Sequence, residues 1–193
     1  MKNIGLIPTI LKRRNSLNMT IDTKLIQFLQ KCFPKYRLKI LFENKNKEKL
    51  NLIVSAGGNS IISLQNNDAN KYRKKLDDYY FNYSIKKEIP FLGICHGAQY
   101  IAKFFESKII KKNNHTKRKH IIELISKKKI QVNSYHDYSI TKLGKNLDKI
   151  AHSKDGSIEA FKHKNKKILG IMWHPERYGK IKKFDLLFIN KYL

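Results

Sequence analysis

A chain of 193 residues, 41% of them hydrophobic, is long enough to bury one sizeable core. It holds no apolar run near the ~18 residues of a membrane span and opens without the features of a signal peptide. The net charge of +26 is spread from end to end beside abundant asparagine, which favours solvated surface over a nucleic-acid platform.

These bounds predict one domain over residues 1–193, in the cytoplasm. The two cysteines, Cys32 and Cys95, cannot build a disulfide framework, which suits a reducing compartment. The basic clusters Lys111-Lys112, Lys117-Arg118-Lys119 and Lys127-Lys128-Lys129 fall in predicted loops or turns and lack interleaved aromatic residues. Besides solvation, the charge could assist an anionic small substrate.

In chain order, residues 3–7 read as a first strand ended by Pro8, followed by a polar loop carrying Arg13 and Arg14. Residues 22–33 set Leu25, Ile26, Phe28, Leu29 and Cys32 at helical spacing, with Thr20 or Asp22 as cap and Cys32 as a core residue. Arg37–Phe42 and Leu52–Ser55 are predicted strands, the second a short apolar run, as a parallel strand covered on both faces should be. A helix over 69–87 carries the stripe Leu76, Tyr79, Tyr80 and Tyr83, read as packing. Pro90–Ile94 is a fourth strand and leads into a helix over 96–106. The segment 107–119 is expected as a charged loop, and His115 and His120 as surface residues. Strands follow at His120–Ile125, Lys129–Asn133, Lys149–Ser153, Ser157–Lys162 and Ile168–Met172, with turns at Asp155-Gly156 and Lys164-Asn165. A helix over about 182–192 closes the chain. Strands alternating with helices, then a run of strands, predict a three-layer α/β domain with a mostly parallel central sheet and an antiparallel extension.

The chemistry starts at Gly93-Ile94-Cys95-His96-Gly97, between a strand and a helix. This is either a strand end with a buried thiol or the cysteine form of a nucleophile elbow, in which the helix N-terminus favours a thiolate. His174-Pro175-Glu176 follows the apolar run 168–172. It is either a surface turn or a base with its orienting acid: residues two apart in an extended segment share a face, so Glu176 can hold one ring nitrogen of His174 and leave the other for Cys95. Ala56-Gly57-Gly58-Asn59 follows a strand and is either an ordinary tight turn or the source of an inward-pointing N–H. With the N–H of His96, that donor would complete an oxyanion hole.

These motifs, with Gln99, Val132-Asn133-Ser134-Tyr135-His136 and Asp155-Gly156-Ser157-Ile158-Glu159-Ala160, occur in an order that resembles the class I glutamine amidotransferase-like superfamily. The likeness is greatest to its free-standing γ-glutamyl hydrolase branch and spans nearly the whole chain. It implies a flavodoxin-like fold, a Cys95–His174–Glu176 triad, and an oxyanion hole from amides near Gly58 and His96. Gln99 and the backbone of Ser134, Tyr135 and His136 would hold the glutamyl group. The ring of His96 receives no role, and no metal or cofactor is expected. The reaction implied is hydrolysis of a γ-glutamyl amide through a thioester.

The segment Arg13-Arg14-Asn15-Ser16-Leu17, with the chain's size and elbow, also resembles small hydrolases of bacterial surface-polysaccharide pathways. Arg13 and Arg14 either contact an anionic, phosphate-bearing substrate or are surface residues. A glutaminase component serving a separate synthetase stays open as an alternative. A homo-oligomer is also open, and a non-enzymatic nucleic-acid binder is disfavoured.

Overall fold

The computed structural model describes residues 1–43, 45, 49–61, 63–112 and 116–193, with 116–118 described by backbone alone. Apolar strands organise it. β1 (Lys2–Ile7), β4 (Tyr36–Ile40), β5 (Leu52–Ser55), β6 (Phe91–Ile94) and β13 (Ile168–Ile171) form a parallel half-sheet in the order β4-β1-β5-β6-β13. Numbered among themselves, these strands lie in the order 2-1-3-4-5, the flavodoxin-like winding. The fold is thus the three-layer α/β arrangement expected from the sequence.

β5, β6 and β13 are buried over their whole length. Alternation sends Leu52, Val54, Leu92 and Ile94 into one core and Ile53 and Phe91 into the other. The first core is closed by α1 (Thr23–Cys32) through Leu25, Phe28 and Leu29, and by α4 (Lys183–Tyr192) through Phe188 and Ile189. The second is closed by α2 (Asp68–Lys87) through Leu76, Tyr80 and Phe81, and by α3 (His96–Phe104) through Ala98 and Ile101. Cys32 packs in the first core, where burial pushes its thiol up to about 12. Asp22 caps α1 by accepting from the Lys24 N–H, and Asn67 caps α2 by accepting from the Asn70 N–H.

Beyond β13 the sheet becomes antiparallel, through β12 (Ile158–His163), β11 (Leu147–Ser153), β8 (Thr116–Leu124) and β9 (Lys129–Tyr135). β10 (Tyr138–Lys142) pairs with β12 and with β7 (Lys108–Lys111). Two segments expected as loops are therefore strands. Residues 9–20 form the hairpin β2 (Thr9–Arg13) and β3 (Ser16–Thr20), and most of 107–119 belongs to β7 and β8. The basic clusters expected in loops lie on these strands in part. No helix among the described residues is long and apolar enough to cross a membrane.

Candidate active site

Cys95 ends β6 with φ 52° and ψ −98°, a conformation that costs a non-glycine residue about 1–3 kcal/mol. The surroundings enforce it. Its N–H donates to the Ile171 carbonyl at 2.8 Å and its carbonyl accepts from the Gln99 N–H at 2.9 Å. A Cβ on Gly93 would lie 2.5 Å from the Gly97 carbonyl carbon, and one on Gly97 would lie 2.4 Å from the Ser55 carbonyl oxygen. Only glycines let strand and helix approach this closely, so the side chain at Cys95 is lifted onto the N-terminus of α3, whose first N–H groups lack helical acceptors.

The histidine expected as the base arrives just beyond the neighbouring strand. Ile171 pairs with Ile94 across β13 and β6, and His174 lies three residues beyond. Its Nδ1 is 2.6 Å from Glu176 Oε1. Glu176 sits in a 3-10 turn, Pro175–Arg177, where an extended segment was expected; the pairing survives because His174 itself is extended. Asn133 pins the His174 main chain from both sides: its Nδ2 donates to the His174 carbonyl and its Oδ1 accepts from the His174 N–H, each at 2.8 Å.

Charge follows this geometry. Burial raises the Cys95 pKa, but the charge and hydrogen bond of His174, helped by the charges of His136 and Arg177, outweigh it and leave the thiol below its ordinary value. Burial lowers His174, but the Cys95 charge and hydrogen bond, then Glu176, lift it to about 9. Both shifts run in the direction of a thiolate–imidazolium pair.

Beside them runs the turn 56–59. Gly58 has φ 102°, in the left-handed region. Thr9 Oγ1 donates to the Gly57 carbonyl at 2.6 Å. In a trans peptide this points the Gly58 N–H the opposite way. A Cβ on Gly57 would meet the His174 ring at 2.5 Å, so the turn lies directly against that ring.

The His96 ring, given no role from the sequence, braces this turn. Its Nδ1 is 3.1 Å from the Asn59 carbonyl and its Nε2 2.8 Å from Asp77 Oδ2. Asp77 is fully buried, accepting from Arg73 Nε at 3.0 Å and Ser55 Oγ at 2.8 Å. The equally buried Arg73 donates onward to the Pro8 carbonyl at 2.8 Å and the Ala56 carbonyl at 2.6 Å. One ion pair therefore ties the C-terminal ends of β1 and β5 to α2 and α3. Arg73 and Asp77 stand four apart on a helix, a spacing that in sequence reads as a surface pair.

Among the other expected site residues, Gln99 is buried and donates from Nε2 to the Tyr138 carbonyl at 2.9 Å. Ser134 and His136 are buried and Tyr135 is 39% exposed, its ring meeting that of His174 edge-on at 5.6 Å. His136 Nε2 lies 3.8 Å and His120 Nε2 3.3 Å from Glu159 Oε1. Burial opposes ionisation of Glu159, yet these histidines hold its carboxyl down to about 2. His120, expected on the surface, faces a buried carboxylate; His115 lies outside the described residues. Arg13 and Arg14 occupy the exposed tip of the β2–β3 hairpin, whose base adjoins the site through Thr9. Asn133 and Arg177 lie within or beside sequence motifs but were given no role, because their partners come from elsewhere in the chain.

The family model for glutamine amidotransferase class-I matches residues 36–191. The chain is 37% identical over 141 residues, 73% of its length and 70% of the relative's, to a γ-glutamyl-CDP-amidate hydrolase from Campylobacter jejuni. It is 30% identical to one subunit of a glutamine-hydrolyzing GMP synthase from Methanobrevibacter smithii, over 69% of this chain and 67% of that one. A solved structure from Thermoplasma acidophilum, provisionally described as one subunit of a GMP synthase, superposes with a TM-score of 0.73 at 19% identity. That match covers 98% of this chain and 92% of the other, a likeness of fold.

Proposed function

The chain belongs to the glutamine amidotransferase class-I family, and on that footing we propose that it is a free-standing hydrolase of γ-glutamyl amides. The observation that carries the reading is the Cys95–His174–Glu176 arrangement, with a thiol lowered by a neighbouring imidazolium and a histidine held to its carboxylate at 2.6 Å. Cys95 thiolate attacks the γ-carbonyl carbon, forming the C–S bond. The resulting oxyanion accepts from the N–H groups of Gly58 and His96. His174 gives its proton to the departing nitrogen as the C–N bond breaks. It then takes a proton from water, whose attack on the thioester releases glutamate and returns the thiolate. Gln99 and the backbone of Ser134, Tyr135 and His136 hold the glutamyl moiety.

The preferred substrate is γ-glutamyl-CDP-amidate, which would give glutamate and cytidine diphosphoramidate for modifying a capsular polysaccharide. The likeness to the Campylobacter jejuni hydrolase supports this choice. Arg13 and Arg14 would reach its phosphates from the hairpin. The relatives that belong to GMP synthases favour a second reading, a glutaminase handing ammonia to a separate synthetase. Glutamate release from γ-glutamyl-CDP-amidate, glutamine and a γ-glutamyl amine separates them. The hydrolase prefers the first and works alone, whereas a glutaminase component is nearly silent without its synthetase. Glutamate release retained by Cys95→Ala would falsify the mechanism.

A further inference from the structure

The departing nitrogen takes its proton from His174, so whatever it carries must lie against the exposed neighbours of that ring. Tyr135 is one, edge-on to His174 and 39% exposed. Over the Tyr135 ring, 5.0 Å from its centroid, stands the guanidinium of Arg177. Arg177 directly follows the triad carboxylate, and its backbone N–H donates to the His174 carbonyl at 3.1 Å. Its main chain is thereby fixed to the base. Its charge reaches the thiol, which it helps to lower.

The same guanidinium is electrostatically engaged but loosely held. Its Nε lies 3.6 Å from Asp22 Oδ2 and 3.7 Å from Glu176 Oε1, beyond hydrogen-bonding distance, and the side chain is one-third exposed. Other described cations are differently placed. Arg73 spends its donors on buried acceptors, Lys112 is bound to Asp155 and Ser157, and Arg13 and Arg14 sit at a hairpin tip. A planar donor fork, oriented by an aromatic ring and beside the proton donor, suits a phosphate on the leaving group.

We propose that Arg177, seated on Tyr135, is a specificity-determining residue that binds phosphate on the leaving group, in addition to the contact proposed for Arg13 and Arg14, and so helps separate phosphate-bearing γ-glutamyl amides from glutamine. The inference rests on the γ-glutamyl hydrolase reading above. The competing role, a clamp between the 3-10 turn and α1 through Asp22, would affect every substrate alike.

The test compares kcat/KM for γ-glutamyl-CDP-amidate and for γ-glutamyl-p-nitroanilide in the full chain. Arg177→Gln should lower the ratio of the two by about 10- to 100-fold, the loss of a charge-assisted contact, mostly through KM for the nucleotide substrate. Arg177→Lys, which keeps the charge, should retain part of the ratio. An unchanged ratio, or an equal fall for both substrates, overturns the proposal. A second readout does not need the conjugate to be a substrate: protection of Cys95 from iodoacetamide by CDP. That protection should weaken about tenfold in Arg177→Gln, and undiminished protection also overturns the proposal. A wild type that ignores the conjugate yet shows Arg177-dependent protection by CDP would instead refute the substrate reading alone.

Discussion

Replacing Gly57 by alanine tests the site at its tightest point. The backbone of Gly57 lies outside the left-handed region, so alanine costs nothing in φ and the whole effect falls on one methyl group. That methyl would stand 2.5 Å from His174 Cε1, 3.2 Å from Nε2 and 3.3 Å from Cys95 Cβ. Carbon–carbon contact is comfortable from ~3.5 Å, so the ring must withdraw by about 1 Å. The His174 main chain cannot supply that movement, because Asn133 holds its N–H and its carbonyl at 2.8 Å each. The ring must swing, losing its line to the thiol or straining the 2.6 Å bond to Glu176. A displacement of ~1 Å at a reacting group costs about 100-fold in rate, or about 3 kcal/mol on the barrier. In a coupled assay of glutamate release, Gly57→Ala should therefore lower kcat about 100-fold, with a much smaller change in KM. Iodoacetamide should also alkylate Cys95 more slowly at neutral pH as the imidazolium moves away. A folded Gly57→Ala protein with the wild-type kcat would show that the turn does not press on the base and refute this reasoning.

Four further outcomes are expected. His174 is protonated up to about 9, so kcat/KM should fall on the alkaline side with a midpoint near that value, and Glu176→Gln should move this limb to lower pH. The same raised pKa stabilises the fold fully below its ordinary 6.5 and fades as pH rises towards about 9, so denaturation should show the variant losing less stability across that window; identical profiles would count against it. Arg73→Met strands a buried Asp77 and should cost about 3–5 kcal/mol in urea unfolding, while a loss below ~1 kcal/mol would mean the network is not a brace. Glu159, ordinarily near 4.5 and held to about 2, stabilises the fold above 4.5 and loses this as pH falls towards 2. Glu159→Gln should flatten that acid limb, and an unaltered acid limb would deny the carboxylate its two histidine partners.

The parallel half of the sheet was legible because β5, β6 and β13 are short, mostly apolar runs of the kind burial on two faces requires. The β2–β3 hairpin was not, since it buries little beyond Ile10 and leaves the alternating Leu17 and Met19 of β3 exposed. β7 and β10 escaped for the related reason that short, partly exposed strands gain their pairing from distant chain: Tyr138 pairs with Lys111. In the site, the motifs at Cys95, His174 and Gly57 announced themselves because each is local, a strand end followed by a turn. Asn133 reaches His174 across 41 residues and His96 reaches Asn59 across 37. No pattern along the chain could show that the His96 ring, and not only its amide, supports the glycine turn.

The place of β13 in the sheet has a consequence for biosynthesis. It lies between β6 and β12, joining the parallel half to the antiparallel extension, yet it is the last of these strands to be made. As the chain leaves the ribosome, the β13-facing edge of β6 has no partner until residues 95–167 have been added, and Cys95 has no imidazole beside it. Insertion of Ile168–Ile171 closes the seam and delivers His174 in the same motion. A chain interrupted before that strand would carry two half-sheets with open edges, prone to pair with other chains. Closure of the sheet and arrival of His174 beside Cys95 are then a single event, timed by one short strand.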